Sequence, residues 1–157
     1  MPIRQAEARD ASRLAEIIVF NNRVNYFPIF RDEGFSFGEV QVLPLARKYL
    51  EDPGHLRRIR VYDDGVVKGL VDVNGEEIEK LYVEPAFQGR GIGAALLEYA
   101  VTRLGANWLW ALEKNGGALR FYARHGFTPT GERKFEEGTP EYLVKLRHQQ
   151  QHQEVDA

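Results

Sequence analysis

Between residues 76 and 103 the chain reads EEIEKLYVEPAFQGRGIGAALLEYAVTR, and this stretch fixes its own local structure more tightly than any other. The run Ile78 to Val83 predicts a strand. It passes through Glu84-Pro85 into Gln88-Gly89-Arg90-Gly91-Ile92-Gly93, after which apolar residues at Ile92, Ala95, Leu96, Tyr99, Ala100 and Leu104 recur at helical period. Glycines give the backbone access to positive φ and let a bulky ligand come close. The first turn of the helix adds unpaired N–H groups and the positive end of its dipole. Arg90 places a full charge at the same mouth, so the expected ligand is a phosphate or pyrophosphate.

The flanking sequence places this unit in a mixed fold. Residues 3–6 read as a short first strand. Asp10 is expected to N-cap a helix whose apolar stripe is Ala11, Leu14, Ala15, Ile17 and Ile18 and which frays into Asn21-Asn22. A second helix is expected from Pro44, burying Leu45, Ala46, Tyr49 and Leu50 and stopping at Asp52-Pro53-Gly54. Residues 57–62, 66–73 and 78–83 are β-rich runs separated by Asp64-Gly65 and Asn74-Gly75, which predicts three antiparallel strands joined by tight hairpins. In the third, Glu77, Glu79, Leu81 and Val83 alternate with Ile78, Lys80 and Tyr82, so neither face is cleanly apolar, as a bulge partway along would produce.

After the glycine-loop helix, the unbroken apolar run Trp108 to Leu112 predicts a strand buried on both faces, with both tryptophans in the core, reached by a right-handed parallel crossover. A short helix is expected over Ala118 to Arg124, closed by Gly126, followed by a strand pair over Phe127 to Phe135 and Tyr142 to Leu146. Residues 1–147 then form one domain, and HQQQHQEVDA from His148 a disordered polar tail. The aromatic-rich residues 23–42 follow neither period; they read either as a loop packing its rings on the core or as a lid lining a substrate site.

Composition removes several chemistries. The chain contains no cysteine, which excludes disulfides, cysteine metal sites and a cysteine nucleophile. The four histidines offer no convincing metal site; His148 and His152 have i, i+4 spacing but fall in the tail, and no metal is expected. A net charge of -2 gives no nucleic-acid or membrane footprint. No apolar run approaches the roughly 18 residues that span a bilayer and the N-terminus lacks a signal-peptide core, so a cytoplasmic protein is expected.

Two cofactor classes fit the loop. Gly89, Gly91 and Ala94 satisfy G-x-G-x-x-A, and Glu113 stands about 20 residues on, where a dinucleotide fold keeps its ribose-binding acid. Such a fold puts its fingerprint strand first, whereas here hairpins precede the loop. The wider set Leu81-Tyr82-Val83, Gln88 to Ala94, Asn115, Ala118, Phe121-Tyr122 and Gly126-Phe127 resembles the acetyl-CoA signature of the GNAT superfamily of N-acetyltransferases. At motif level the resemblance covers about residues 77–127; elsewhere it rests on element order.

The resemblance implies an α/β fold of the α+β type, with a mixed, mostly antiparallel central sheet, helices on both faces and a splayed parallel strand pair at the cofactor groove. It implies acetyl-CoA as co-substrate, its pyrophosphate cradled by Gln88, Gly89, Arg90, Gly91, Ile92, Gly93 and Ala94 and its pantetheine arm paired with the main chain of Leu81 and Val83. Asn115 would bond the cofactor, or is simply a turn asparagine. An amine acceptor must lose a proton before attack. Glu77 and Glu79 could take it directly or through water, or form a solvated strand face. Tyr122 matches the family's tyrosine acid for the leaving thiolate, although a buried tyrosine is usually only core with a satisfied hydroxyl. The backbone N–H near Leu81 is the candidate oxyanion donor.

The implied reaction is direct acetyl transfer in a ternary complex to an amine on a small molecule, a peptide N-terminus or a lysine. The family binds its acceptor at the segments that correspond here to residues 23–42 and 135–141, the latter carrying Glu136, Glu137 and Glu141. A homodimer is compatible with this reading. The alternatives from other classes are a non-catalytic acyl-CoA-binding or sensing module and a small NAD-binding domain.

Overall fold

The apolar stripe near the start of the chain makes the first helix. In the computed structural model, which describes residues 2–22 and 42–149, α1 (Ala11–Asn21) buries Ala11, Leu14, Ala15, Ile17 and Ile18. Their spacing puts all five on one side of a 3.6-residue helix. The expected fraying is absent. Asn21, only 2% exposed, ends the helix with its Nδ2 donating to the Ile17 carbonyl at 2.9 Å.

Asp10 also departs from expectation, since its side chain makes no capping bond to α1. The carboxylate instead accepts the Glu7 N–H at 2.8 Å and both terminal nitrogens of Arg4 at 2.8 and 3.0 Å. A guanidinium fork is a stronger partner than a single helix N–H. Burial pushes the Asp10 carboxyl up, but the bonds from Arg4 and Glu7 outweigh it and hold the group below its ordinary value. A folded value below the unfolded one means the contribution is present above about pH 4 and is lost as pH falls further. Asp10→Asn is therefore expected to lower stability by about 1–3 kcal/mol at pH 7 and by progressively less as urea unfolding is repeated down to about pH 2. An equal loss at every pH would assign the effect to shape and not to charge.

The chain forms two compact units, Met1–Ala106 and Asn107–Ala157. In the first, β1 (Ile3–Gln5), β2 (Ile59–Asp63), β3 (Val67–Asn74) and β4 (Glu77–Val83) pair antiparallel in that order. Gly65 and Gly75 occupy positive φ in the two hairpin turns, as the Asp-Gly and Asn-Gly pairs require. The expected bulge is present: Asp72 faces Lys80 while Val73 faces Ile78, leaving Glu79 as the extra residue of β4.

Helices cover both faces of these strands. Ile59, Val61 and Leu70 pack with α1, Tyr49 and Leu56, and the register adds Asp72 to that side. Tyr49 belongs to α2 (Val42–Glu51), which starts two residues ahead of Pro44. Leu50, expected to be buried, is 55% exposed; it falls about 100° round the helix from Tyr49, beyond the stripe. Where a stop was expected, Pro53–Leu56 forms one further turn, α3, with the Asp52 carboxylate accepting the His55 N–H. On the opposite face lies α4 (Ile92–Leu104), which buries Ile92, Leu96, Leu97 and Ala100. It approaches β3 at Gly69, where a Cβ would stand 2.9 Å from the Tyr82 carbonyl oxygen and 3.0 Å from Leu96 Cδ1.

In the second unit β7 (Tyr142–His148) lies between β5 (Trp108–Leu112) and β6 (Phe127–Phe135), antiparallel to both, with α5 (Gly116–Arg124) between β5 and β6 in the chain. β5 is not buried on both faces. Leu109 and Ala111 are buried, but Trp108 and Trp110 are only half-buried, beneath the ammonium groups of Lys145 and Lys134 at 4.4 and 4.5 Å from their ring centres. Indole is apolar enough to mimic a core residue in sequence, yet cation–π contact lets it sit at a surface. β7 takes in His148, where the tail was expected to begin, and the Gln149 N–H bonds the Gly126 carbonyl at 2.8 Å. Residues 23–41 and the tail from 150 lie outside the described residues. The fold class is the expected mixed α/β type, with antiparallel pairing in each unit.

Candidate active site

β4 delivers the chain into the glycine loop through a single 3-10 turn, Pro85–Phe87. Gly89 and Gly91 then take φ of 81° and 82°, and Gly91 is the residue from which α4 starts. A Cβ on either would meet nothing within 4 Å, so positive φ and ligand access, not crowding, call for glycine. Gln88, Gly89, Arg90 and Gly91 are exposed, and the first turn of α4 presents the N–H groups of Ile92, Gly93 and Ala94 beside them. Ile92 contributes only its main chain there, because its side chain is core. Arg90 lies 5.5 Å and Lys68 4.8 Å from the Phe87 ring centre, which gathers two cations at the loop. The loop can hold a phosphate or pyrophosphate by backbone N–H, helix dipole and charge.

The adjacent edge of β4 is set by the ladder. Glu84 N–H donates to the Lys68 carbonyl, which turns Tyr82 and Glu84 toward β3 and the main-chain groups of Leu81 and Val83 toward the opposite edge. The Val83 carbonyl there accepts Asn21 Nδ2 and Gln88 Nε2, both at 3.0 Å, while Asn21 Oδ1 accepts Gln88 Nε2 at 3.3 Å. Arg13 adds a second tie, donating to the Val67 carbonyl at 2.8 Å and pairing with Glu84 at 2.6 Å. Sequence reading missed both residues. Asn21 carried a signal, since it continues the stripe 14, 17, 18 and so sits as a polar residue on the core face; Arg13 carried none.

Glu77 and Glu79 are both on β4, but the bulge breaks their simple alternation. Glu79 accepts Arg58 Nη2 at Oε1 and Asn74 Nδ2 at Oε2, each at 2.9 Å. Burial pushes its carboxyl up, but the Asn74 amide and the Arg58 charge outweigh that and hold it below the usual range. Arg58 is anchored in turn by Asp72, which is fully buried and also accepts His55 at 2.7 Å.

The second unit holds the other two site residues. Asn115 Oδ1 accepts the Ala118 N–H at 3.1 Å and caps α5, which leaves Nδ2 as the half of the amide able to reach a ligand. Tyr122 is half-buried on α5 with its ring edge-on to Phe121 and Phe127, at 5.3 and 5.9 Å. In the loop after β6, Glu141 pairs with Lys114 at 3.1 Å, so one of its three acids is already neutralised. Among the described residues no three His, Asp or Glu side chains are placed to hold a metal, and no helix is long and apolar enough to cross a membrane.

Comparison with known proteins finds N-acetyltransferases among those similar to this chain. Peptidyl-lysine N-acetyltransferase YjaB of Salmonella typhimurium is 32% identical over 89 residues, covering 56% of this chain and 61% of that protein. The chain spans 40%, 61% and 64% of the length of three curated relatives that it matches. The solution structure of apo YjaB from Escherichia coli has the same fold, with a TM-score of 0.70 at 23% identity over 93% of this chain and 95% of that one. So does a PaiA N-acetyltransferase from Thermoplasma acidophilum, solved in complex with coenzyme A, with a TM-score of 0.69 at 18% identity over 93% and 98%. Residues 56–129, which contain β4, the glycine loop, α4, Asn115 and Tyr122, match the acetyltransferase (GNAT) domain.

Proposed function

We propose that the chain is an acetyl-CoA-dependent N-acetyltransferase that passes the acetyl group directly to an amine in a ternary complex. The observation that carries this reading is the positive-φ pair Gly89 and Gly91 opening straight into α4, beside a strand edge that presents the main chain of Leu81 and the N–H of Val83, whose carbonyl is held by Asn21 and Gln88. The N–H groups from Gly89 to Ala94, with Arg90, hold the pyrophosphate, while Gln88 fixes the loop through its bonds to Val83 and Asn21. The pantetheine arm adds to the edge of β4 as an extra strand, and Asn115 Nδ2 bonds the cofactor.

The amine nitrogen bonds to the thioester carbonyl carbon after giving up a proton, the oxyanion is met by the Leu81 N–H, and the C–S bond then breaks. Glu79 already carries Arg58 and Asn74, which leaves Glu77 to take the proton, directly or through water. Tyr122 returns a proton to the leaving thiolate. A protein lysine is the favoured acceptor, on the strength of the YjaB relative's name.

Calorimetric titration with acetyl-CoA, with NADH in parallel, followed by thiol release on a lysine peptide, tests this. Tyr122→Phe is expected to lower kcat about 10- to 100-fold with acetyl-CoA affinity unchanged, and Glu77→Gln to do the same with a loss that eases as pH rises. Wild-type turnover by both would remove these residues from the mechanism. Acetyl-CoA binding with no turnover of any amine would favour a non-catalytic acyl-CoA-binding module, and preference for NADH would overturn the cofactor.

A further inference from the structure

A second concentration of positive charge lies at the other end of α4. Arg57, Arg58, Arg60, Val73, Gly75 and Leu104 enclose an open hollow of about 220 Å³, with no carboxylate in its lining. The register sets Arg60 opposite Val71, on the α4 side of the strands. Arg60 Nη1 donates to the carbonyls of Arg57 and Ile59 at 3.0 and 3.4 Å, which holds the guanidinium in place without neutralising it. Arg58 is committed to Asp72 and Glu79. Among the described residues Arg57 and Arg60 make no ion pair within 4.0 Å, and the nearby Asp52 carboxylate, which flanks Gly54 with Arg57 Nη2, lies outside the lining of the hollow. The C-terminal end of α4 opposes the two arginines with only about half a unit of negative charge.

We propose that this hollow binds a small organic oxyanion, a phosphate or a carboxylate, held by Arg57 and Arg60 against the apolar wall of Val73 and Leu104. Guanidinium forks match either group in two-point geometry. The volume equals about seven waters at ~30 Å³ each, more than inorganic phosphate needs, and the apolar wall gives the surplus to carbon. The site is distinct from the glycine loop. Gly91 precedes the first residue of this 13-residue helix and Leu104 is the last, about 20 Å apart.

The test is amide and arginine Nε chemical-shift mapping of the full chain, titrated separately with AMP and with succinate. Saturable shifts at Val73, Gly75, Leu104 and Arg60 Nε are expected with at least one probe. AMP alone would identify phosphate, succinate alone carboxylate. The Arg57→Ala/Arg60→Ala variant should weaken that binding at least about tenfold while leaving acetyl-CoA shifts at Gly89 to Gly93 unchanged, so that this site and the cofactor site fail independently. Arg57→Ala alone, which removes no hydrogen bond among the described residues, carries the same expectation should the double variant not fold. No saturable shift with either probe, shifts confined to Gly89 to Gly93, or unaltered binding by the variants would overturn the proposal.

Discussion

Replacing Gly91 by valine is expected to weaken acetyl-CoA binding at least about 100-fold while leaving the protein folded. Gly91 stands at φ 82° where α4 begins, and space beyond its Cβ position is open. A Cβ there meets no other atom within 4 Å. The valine must either adopt a left-handed conformation, costing about 1–2 kcal/mol, or swing the loop and misalign the N–H groups of Ile92 to Ala94. Charge-assisted bonds from those groups contribute about 1.5–3 kcal/mol each, so losing two accounts for the expected drop. The stability cost alone lowers Tm by only about 2–8 °C. Calorimetry at 25 °C therefore separates the two effects: lost binding by a folded protein places the pyrophosphate on this turn, and near-normal affinity places it elsewhere. Gly91→Ala, less strained at positive φ than a β-branched residue, should fall between.

The strand, loop and helix from 77 to 104 were legible because each carries a local signal: alternation, paired glycines, helical period. Even the bulge showed, as a parity that no flat strand could satisfy. What stayed hidden depends on which partner a side chain takes in the folded chain. Nothing near Asp10 announces Arg4 as its counter-ion in preference to the helix N-terminus. The tryptophans of β5 read as core because the lysines that cover them arrive from β6 and β7. The candidate site divides in the same way. The anion loop is written in consecutive residues, whereas the ties that fix the β4 edge come from α1, some 60 or 70 positions away. Glu79 was legible as an acid on a strand, but its commitment to Arg58 and Asn74 follows from the bulge that points it there.

That commitment rests on Asp72, and Asp72→Ala is expected to be among the most destabilising single changes in the chain. The carboxylate is fully buried and accepts the Arg58 fork and His55 Nε2, with Lys80 at 3.9 Å. Removing one partner of a buried charge pair costs about 3–5 kcal/mol because the other charge stays behind. Arg58 keeps Glu79 and is about one-third exposed, so the lower end, about 3 kcal/mol, is expected here, a fall in Tm of roughly 6–12 °C. Arg58→Ala combined with Asp72→Ala should cost clearly less than the two single losses added together, since the double variant strands no charge. Additive losses would mean that the two residues act separately. Because Arg58 spans from Asp72 to the extra residue of the bulge, Asp72→Ala should also speed hydrogen exchange at Glu79 and Lys80 beyond the global effect. A uniform rise across β3 and β4 would show that the bulge holds its shape without the pair, and that Glu79 is positioned by the ladder alone.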